Sequence, residues 1–196
     1  IGRYKSRNVA IEIPKITNSG IHGFSHEYIN YMLGGSFRAS YTPLNDNIIN
    51  GRIRGVAGVV GCTNARVKQD WVHVELVKEL IKNDILVLQT GCSQVALAKA
   101  GLLTPEAAYL AGPGLRDVCE TVGMPPVLGI GSCVDNSRIL IAASEMVKVG
   151  GLGDSIADLP VAGAAPEWMS EKAISIGQYF VASGVYTVFG VTFPIV

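Results

Sequence analysis

Four cysteines are the side chains best suited to chemistry here: Cys62, Cys92, Cys119 and Cys133. Four in 196 residues is too sparse for a disulfide scaffold. No two are spaced C-x-x-C, which argues against a thioredoxin-like motif and a zinc ribbon. Cys119 lies in an amphipathic helical pattern, Leu115-Arg-Asp-Val-Cys-Glu, and reads as a small buried helix residue. The other three share one grammar. Val56 to Gly61 leads to Cys62, Ile85 to Gly91 leads to Cys92, and Pro126 to Ser132 leads to Cys133. Each run is apolar and β-like, carries a glycine at its end and precedes a helical pattern. One such cysteine is a small residue at a crowded turn; three repeat a placement.

The elements that must position them follow from periodicity. The gaps of 30 and 41 residues between these cysteines are the length of a strand–helix–strand repeat. Strands are predicted near 55–60, 84–89, 126–130, 159–163 and 187–192. Helices are predicted near 25–33, 69–82, 92–99, 105–121, 135–149 and 167–182. In the 69–82 helix, Trp71, Val74, Val77 (or Leu76) and Leu80 recur at a helical period. The strand runs are nearly all apolar, as a parallel sheet covered on both faces requires. The fold class is therefore α/β, a doubly wound, mainly parallel, Rossmann-like sheet with helices on both faces. Residues 1–50 are broken by Gly34, Gly35, Pro43 and Asn45 and read as a short helical or irregular lead-in; residues 51–196 form the Rossmann-like domain.

Parallel strands all end on one edge, so Cys62, Cys92 and Cys133 should meet there, each at a helix N-terminus that lowers its pKa. Three such thiolates make a metal site. Zinc would want a fourth ligand. His73 falls inside its helix, and His22 and His26 read as a solvated helix start. Thiolates on glycine turns suit iron–sulfur chemistry at least as well.

Composition narrows the class. With 16 basic and 16 acidic residues the net charge is zero, without the basic footprint of a nucleic-acid binder. Hydrophobic residues make up 48%, so the chain is not disordered. The 23 glycines exceed the usual share of about 7% and mark tight turns. No apolar stretch approaches the ~20 residues of a membrane span. The polar segment Ile1 to Asn8 has no signal-peptide core behind it, so a cytoplasmic protein is expected. The start without Met and the apolar end, Val188 to Val196, suggest a piece of a longer protein.

Several strings are specific: Gly55-Val-Ala-Gly-Val-Val-Gly-Cys62-Thr-Asn, Thr90-Gly-Cys92-Ser, Ala98-Lys-Ala-Gly-Leu-Leu103, Pro125-Pro-Val-Leu-Gly-Ile-Gly-Ser-Cys133-Val-Asp-Asn-Ser-Arg138 and Ala165-Pro-Glu-Trp-Met-Ser-Glu-Lys172-Ala-Ile. From about Gly51 to Val196 the chain resembles the catalytic subunit of the anaerobic nickel–iron–sulfur carbon monoxide dehydrogenases, in its C-terminal Rossmann-like domain. The resemblance implies a core of nickel, three irons and four sulfides with a further iron beside it. It implies that Cys62 and Cys92 each bind an iron and that Cys133 binds nickel. Lys172 would hydrogen-bond to the carbon dioxide-level intermediate, although by itself it reads as a solvated lysine beside Glu171. Ile176 would crowd the nickel's open face in the substrate pocket. Cys119 matches no ligand.

The implied reaction is the reversible oxidation of CO with water to CO2, two protons and two electrons, passed through further 4Fe-4S clusters to a ferredoxin-type carrier. The implied assembly is a homodimer of the full subunit, with acetyl-CoA synthase as a possible partner. The family's third core cysteine, the His and Cys of the outlying iron, the relay-cluster cysteines and the histidine base would all lie before Ile1. The 196-residue chain alone is therefore expected not to oxidise CO; turnover by it would refute the reading.

Two families of rivals stand beside this. One is the related hybrid-cluster protein, a hydroxylamine reductase, against which the Cys133-Val-Asp-Asn-Ser-Arg string argues. The other is non-catalytic: a dinucleotide-binding domain, a structural zinc domain or a docking module. Glycines 55, 58 and 61 are spaced G-x-x-G-x-x-G rather than G-x-G-x-x-G, so the dinucleotide signal is weak.

Overall fold

Apolar strand runs need cover on both faces, and the chain supplies it. The computed structural model describes residues 15–34 and 40–190. Five strands form one sheet: β1 (Gly55–Val59), β2 (Ile85–Thr90), β3 (Val127–Gly131), β4 (Val161–Ala165) and β5 (Tyr186–Phe189). All neighbours pair in parallel, in the order β3-β2-β1-β4-β5. Every residue of central β1 is buried, whereas edge strand β5 is largely exposed. The segment Ile1 to Asn8 and the end of the apolar run from Val188 lie outside the described residues.

Two helices precede the sheet, α1 (His26–Gly34) and α2 (Thr42–Ile49). The crossovers carry α3 (Trp71–Lys82), α4 (Gly91–Lys99), α5 (Pro113–Val122), α6 (Asn136–Val149) and α7 (Glu171–Ala182), with 3-10 turns at Pro105–Leu110, Cys133–Asp135 and Ile156–Asp158. The chain steps from β1 out to β3, then returns past β1 to β4 and β5. Right-handed crossovers therefore place α3 to α5 on one face and α6 and α7 on the other. Accordingly, Ile139 of α6 and Phe180 of α7 both lie over Gly58 of β1. This is the doubly wound α/β architecture expected from the sequence.

Three local expectations need correction. The 105–121 helix is two pieces, because Gly112 is extended and Pro113 begins a new helix. The buried face of α3 is His73, Val77 and Ile81, while Trp71 is 54% exposed. The last crossover helix starts at Glu171, not 167, because Pro166 to Ser170 run as an irregular arm. The lead-in is also more ordered than its breakers imply. Pro43 sits in the first turn of α2, where its missing N–H costs nothing. Buried Asn45 donates to the carbonyls of Met146 and Gly150, both at 2.8 Å, and ties α2 to the end of α6. Ile29, Leu33 and Leu44 join the same buried cluster as the strands.

Among the described residues no helix is long and apolar enough to cross a membrane.

Gly163 of β4 leaves the room that the Phe180 ring fills. A Cβ there would stand 2.7 Å from Phe180 Cδ2 and 3.0 Å from Thr187 Oγ1. Gly163→Ala should destabilise the fold by about 1–3 kcal/mol through overpacking. A lowered urea midpoint at unchanged slope is the expected result.

Candidate metal centre

β1, β2 and β3 each deliver a cysteine to the carboxyl edge of the sheet, and β4 leads to the arm before α7. Cys62, Cys92, Cys133, Lys172 and Ile176 line one cavity of about 260 Å³, together with Thr90, Asn136, Met169 and Ser170. The strand order reverses between β1 and β4, and open α/β sheets bind ligands in the crevice at such a switch point.

Each cysteine is held differently. After β1 the ladder continues through Val60 N–H to the Ala164 carbonyl at 2.8 Å. Gly61 then takes φ +114°, with the Glu167 carbonyl only 2.4 Å from where a Cβ would sit. Cys62 N–H donates to that carbonyl at 3.0 Å, and its sulfur lies 3.7 Å from Ser170 Oγ. Cys62 does not begin a helix: α3 starts at Trp71, so the expected helix N-terminus is absent there. Cys92 does, as the second residue of α4, and Cys133 opens the turn that runs into α6.

Gly91, at φ +61°, lets β2 turn directly into α4. A Cβ on it would lie 2.6 Å from Cys133 Sγ, so the missing side chain is the seat of that thiol. Thr90 Oγ1 donates to Asn136 Oδ1 at 2.6 Å, and Asn136 Nδ2 donates to the Cys133 carbonyl at 2.5 Å. The turn after β3 is fixed by a capping box, with Ser132 N–H donating to Asp135 Oδ2 at 2.7 Å. Gly131 N–H also donates to Gln94 Oε1 at 3.1 Å.

Lys172 and Ile176 are one helical turn apart on α7 and project from the same side. Ala173, Gly177 and Phe180 anchor the adjoining face in the core. A lysine in the first turn faces the positive end of the helix dipole, typically a penalty of about 0.3–1 kcal/mol. The side chain lines the cavity, where its charge opposes the rise of the Cys92 pKa.

The Cys92 thiol is not acidified, contrary to expectation. Burial pushes the Cys92 thiol up, and the neighbouring Cys133 and Cys62 add to this, while Lys172 opposes it. Loss of water around the sulfur is the larger cause, and the neighbouring thiols are the smaller one. Cys119 is 1% exposed and pushed up to about 12 by burial, an inert core residue as expected. His22 and His26 stay apart from the cavity lining: the His22 ring bonds the Gln94 amide at 2.7 Å, and His26 lies beside Glu27 at 3.2 Å.

Sequence reasoning did not find Glu167 and His73 as a pair behind the centre. Both are fully buried. The only sign in the sequence is an acid embedded in Pro166-Glu-Trp-Met169.

Among the described residues, no three His, Cys, Asp or Glu side chains are grouped closely enough to hold one metal ion. The three thiols instead surround a space. Soft donors spread around a glycine-lined cradle fit a polynuclear metal–sulfide core better than a single ion.

Comparisons with known proteins identify the chain's family. A sequence model of the Prismane/CO dehydrogenase family matches residues 5–196. Carbon monoxide dehydrogenase 1 of Methanosarcina mazei is 53% identical over 196 residues, covering 100% of this chain and 30% of the relative. The carbon monoxide dehydrogenase of Rhodospirillum rubrum is 40% identical over 205 residues, covering 100% of this chain and 32% of its own. Among solved structures, a nickel-free carbon monoxide dehydrogenase from Thermococcus sp. AM4 superposes with TM-score 0.86 at 52% identity, over 94% of this chain and 28% of that one. The acetyl-CoA synthase/carbon monoxide dehydrogenase with NiZn[Fe4S4] and NiNi[Fe4S4] clusters gives TM-score 0.87 at 36% identity, over 98% and 30%. The chain thus spans about a third of the length of the relatives it matches.

In metal-free folded protein, iodoacetamide should label exposed Cys92 and leave Cys119 untouched until the protein unfolds. Peptide mapping before and after urea reads this out. Labelling of Cys119 in the folded state would contradict the placement.

Proposed function

This chain belongs to the Prismane/CO dehydrogenase family, and from that premise we propose that it is the C-terminal, Rossmann-like part of a carbon monoxide dehydrogenase catalytic subunit. Residues 1–50 form its lead-in and residues 51–196 its cluster-binding domain. The full enzyme interconverts CO plus water with CO2, two protons and two electrons. The observation that carries this reading is the convergence of three strand-end cysteines with Lys172 and Ile176 on one cavity. A dinucleotide or structural zinc reading gives no reason for that set.

Cys62 and Cys92 each hold an iron of a nickel–iron–sulfide core, and Cys133 holds its nickel. When bound, that core supplies sites for CO and for water and takes up two electrons. The chain's own residues shape the rest. Lys172 offers an ammonium N–H to the oxygen on which negative charge builds, where a fixed cation is worth most. Ile176 keeps water from the open face beside it. Asn136 and Thr90 hold the Cys133 turn against the end of β2. Remaining ligands, relay 4Fe-4S clusters and a proton-accepting histidine come from sequence upstream. Electrons pass to a ferredoxin-type carrier in a cytoplasmic homodimer, with acetyl-CoA synthase as a further partner.

Metal analysis of the full-length protein tests the reading. Nickel, iron and acid-labile sulfide together support it. Iron without nickel would favour the hybrid-cluster relatives, and zinc alone a structural site. Cys133→Ala should lose nickel while most iron is retained. Lys172→Ala should keep the metals and lower kcat by about 10²–10³-fold, the usual loss for one donor to a developing oxyanion.

A further inference from the structure

Behind the cavity lies a buried polar group that the reaction does not explain. Glu167 is 0% exposed. Burying a carboxyl group is costly unless its oxygens are hydrogen-bonded. One oxygen, Oε2, accepts Asn64 N–H at 3.4 Å, and Oε1 accepts Val72 N–H at 3.1 Å. Its backbone carbonyl accepts Cys62 N–H at 3.0 Å. One residue thus binds the Cys62 loop, the first turn of α3 and the arm that leads to Lys172. His73, also 0% exposed, completes the clasp from α3: its Nε2–H donates to the Cys62 carbonyl at 2.6 Å. Asn64, 2% exposed, closes the other side, donating through Nδ2 to the Trp168 carbonyl at 2.9 Å.

Both backbone polar groups of Cys62 are therefore held. Its N–H is held by the main-chain carbonyl of Glu167, whose buried carboxylate anchors that segment to Asn64 and Val72, and its C=O by the His73 ring. The Cys62 loop has no helix of its own to stiffen it, unlike the segments at Cys92 and Cys133. The clasp replaces that stiffness. It also spans the switch point between β1 and β4, where no covalent connection short of a hundred residues joins Cys62 to Lys172.

We propose that Glu167 and His73 are positioning residues that fix the Cys62 thiol relative to Lys172 across the switch-point crevice. This rests on the function proposed above. Neither residue touches the reacting atoms. They act through Cys62, as outer partners of metal ligands do, and loss of such partners typically lowers metal affinity or activity about 10–100-fold.

The test uses the full-length subunit carrying Glu167→Gln, His73→Leu or His73→Gln. Glutamine at 73 can still place an N–H on the Cys62 carbonyl; leucine cannot. Nickel and iron per subunit are measured after reconstitution and after challenge with a chelator. Backbone amide exchange of the segment holding Cys62 and Asn64 is measured in the metal-free protein. Glu167→Gln and His73→Leu should retain metal at the site at least tenfold less well and exchange that segment at least tenfold faster. His73→Gln should stay near wild type on both. Wild-type metal retention and exchange in both Glu167→Gln and His73→Leu would overturn the proposal, as would a His73→Gln loss equal to that of His73→Leu. If Glu167→Gln does not fold, the two His73 variants decide. Wild-type protein without nickel or iron would overturn the proposed function instead, and the exchange measurement would still decide this inference.

Discussion

Every strand of the sheet runs the same way, and that common direction is what the site depends on. Parallel pairing sends each connection from the same edge, so residues far apart in sequence arrive together without contacting one another on the way. Cys62 and Cys133 are neighbours in the cavity because β1 and β3 flank β2, not because the chain between them is short. The reversal of strand order between β1 and β4 then opens a crevice, and Lys172 and Ile176 enter it from the far side. Packing sets this frame. The central strand is buried throughout, and helices on both faces lock its register.

The local chemistry adds precision to a frame that supplies only proximity. At β2 the turn is made by Gly91, whose absent side chain seats the Cys133 sulfur. At β3 a capping box and the Thr90–Asn136 link hold the backbone of Cys133. At β1 the glycine turn is followed by nine residues without strand or helix before α3 begins at Trp71, and hydrogen bonds from buried polar residues do the holding. Burial is the main cause of the raised pKa of Cys92, and the neighbouring thiols add to it. A cation bound at Cys92 would offset the cost of its thiolate.

Much of this was legible in the residues. Apolar runs ending in glycine and cysteine marked the three strands and the edge where they meet, because the signal is local and repeated. What stayed hidden depended on distant partners. Pro43 and Asn45 read as breakers, yet proline starts α2 and Asn45 is buried against the end of α6, which the sequence of that segment does not reveal. Trp71 looked like the anchor of α3, but the helix is rotated so that His73 faces inward to meet the Cys62 carbonyl. Glu167 carries no periodic signal; its burial follows from backbone N–H groups about a hundred residues earlier. The helix start expected at Cys62 itself is absent for a related reason: the loop is tied to the β4 arm, and α3 begins only at Trp71.

The central claim is that Cys62, Cys92 and Cys133 meet different metals of one core. Anomalous X-ray scattering at the nickel, iron and zinc edges, from crystals of the full-length subunit, tests it most directly. The result expected is a nickel peak at bonding distance from Cys133 Sγ and separate iron peaks at Cys62 Sγ and Cys92 Sγ, all within the one cavity. A zinc peak shared by these thiols, or no nickel or iron at any of them, would contradict it.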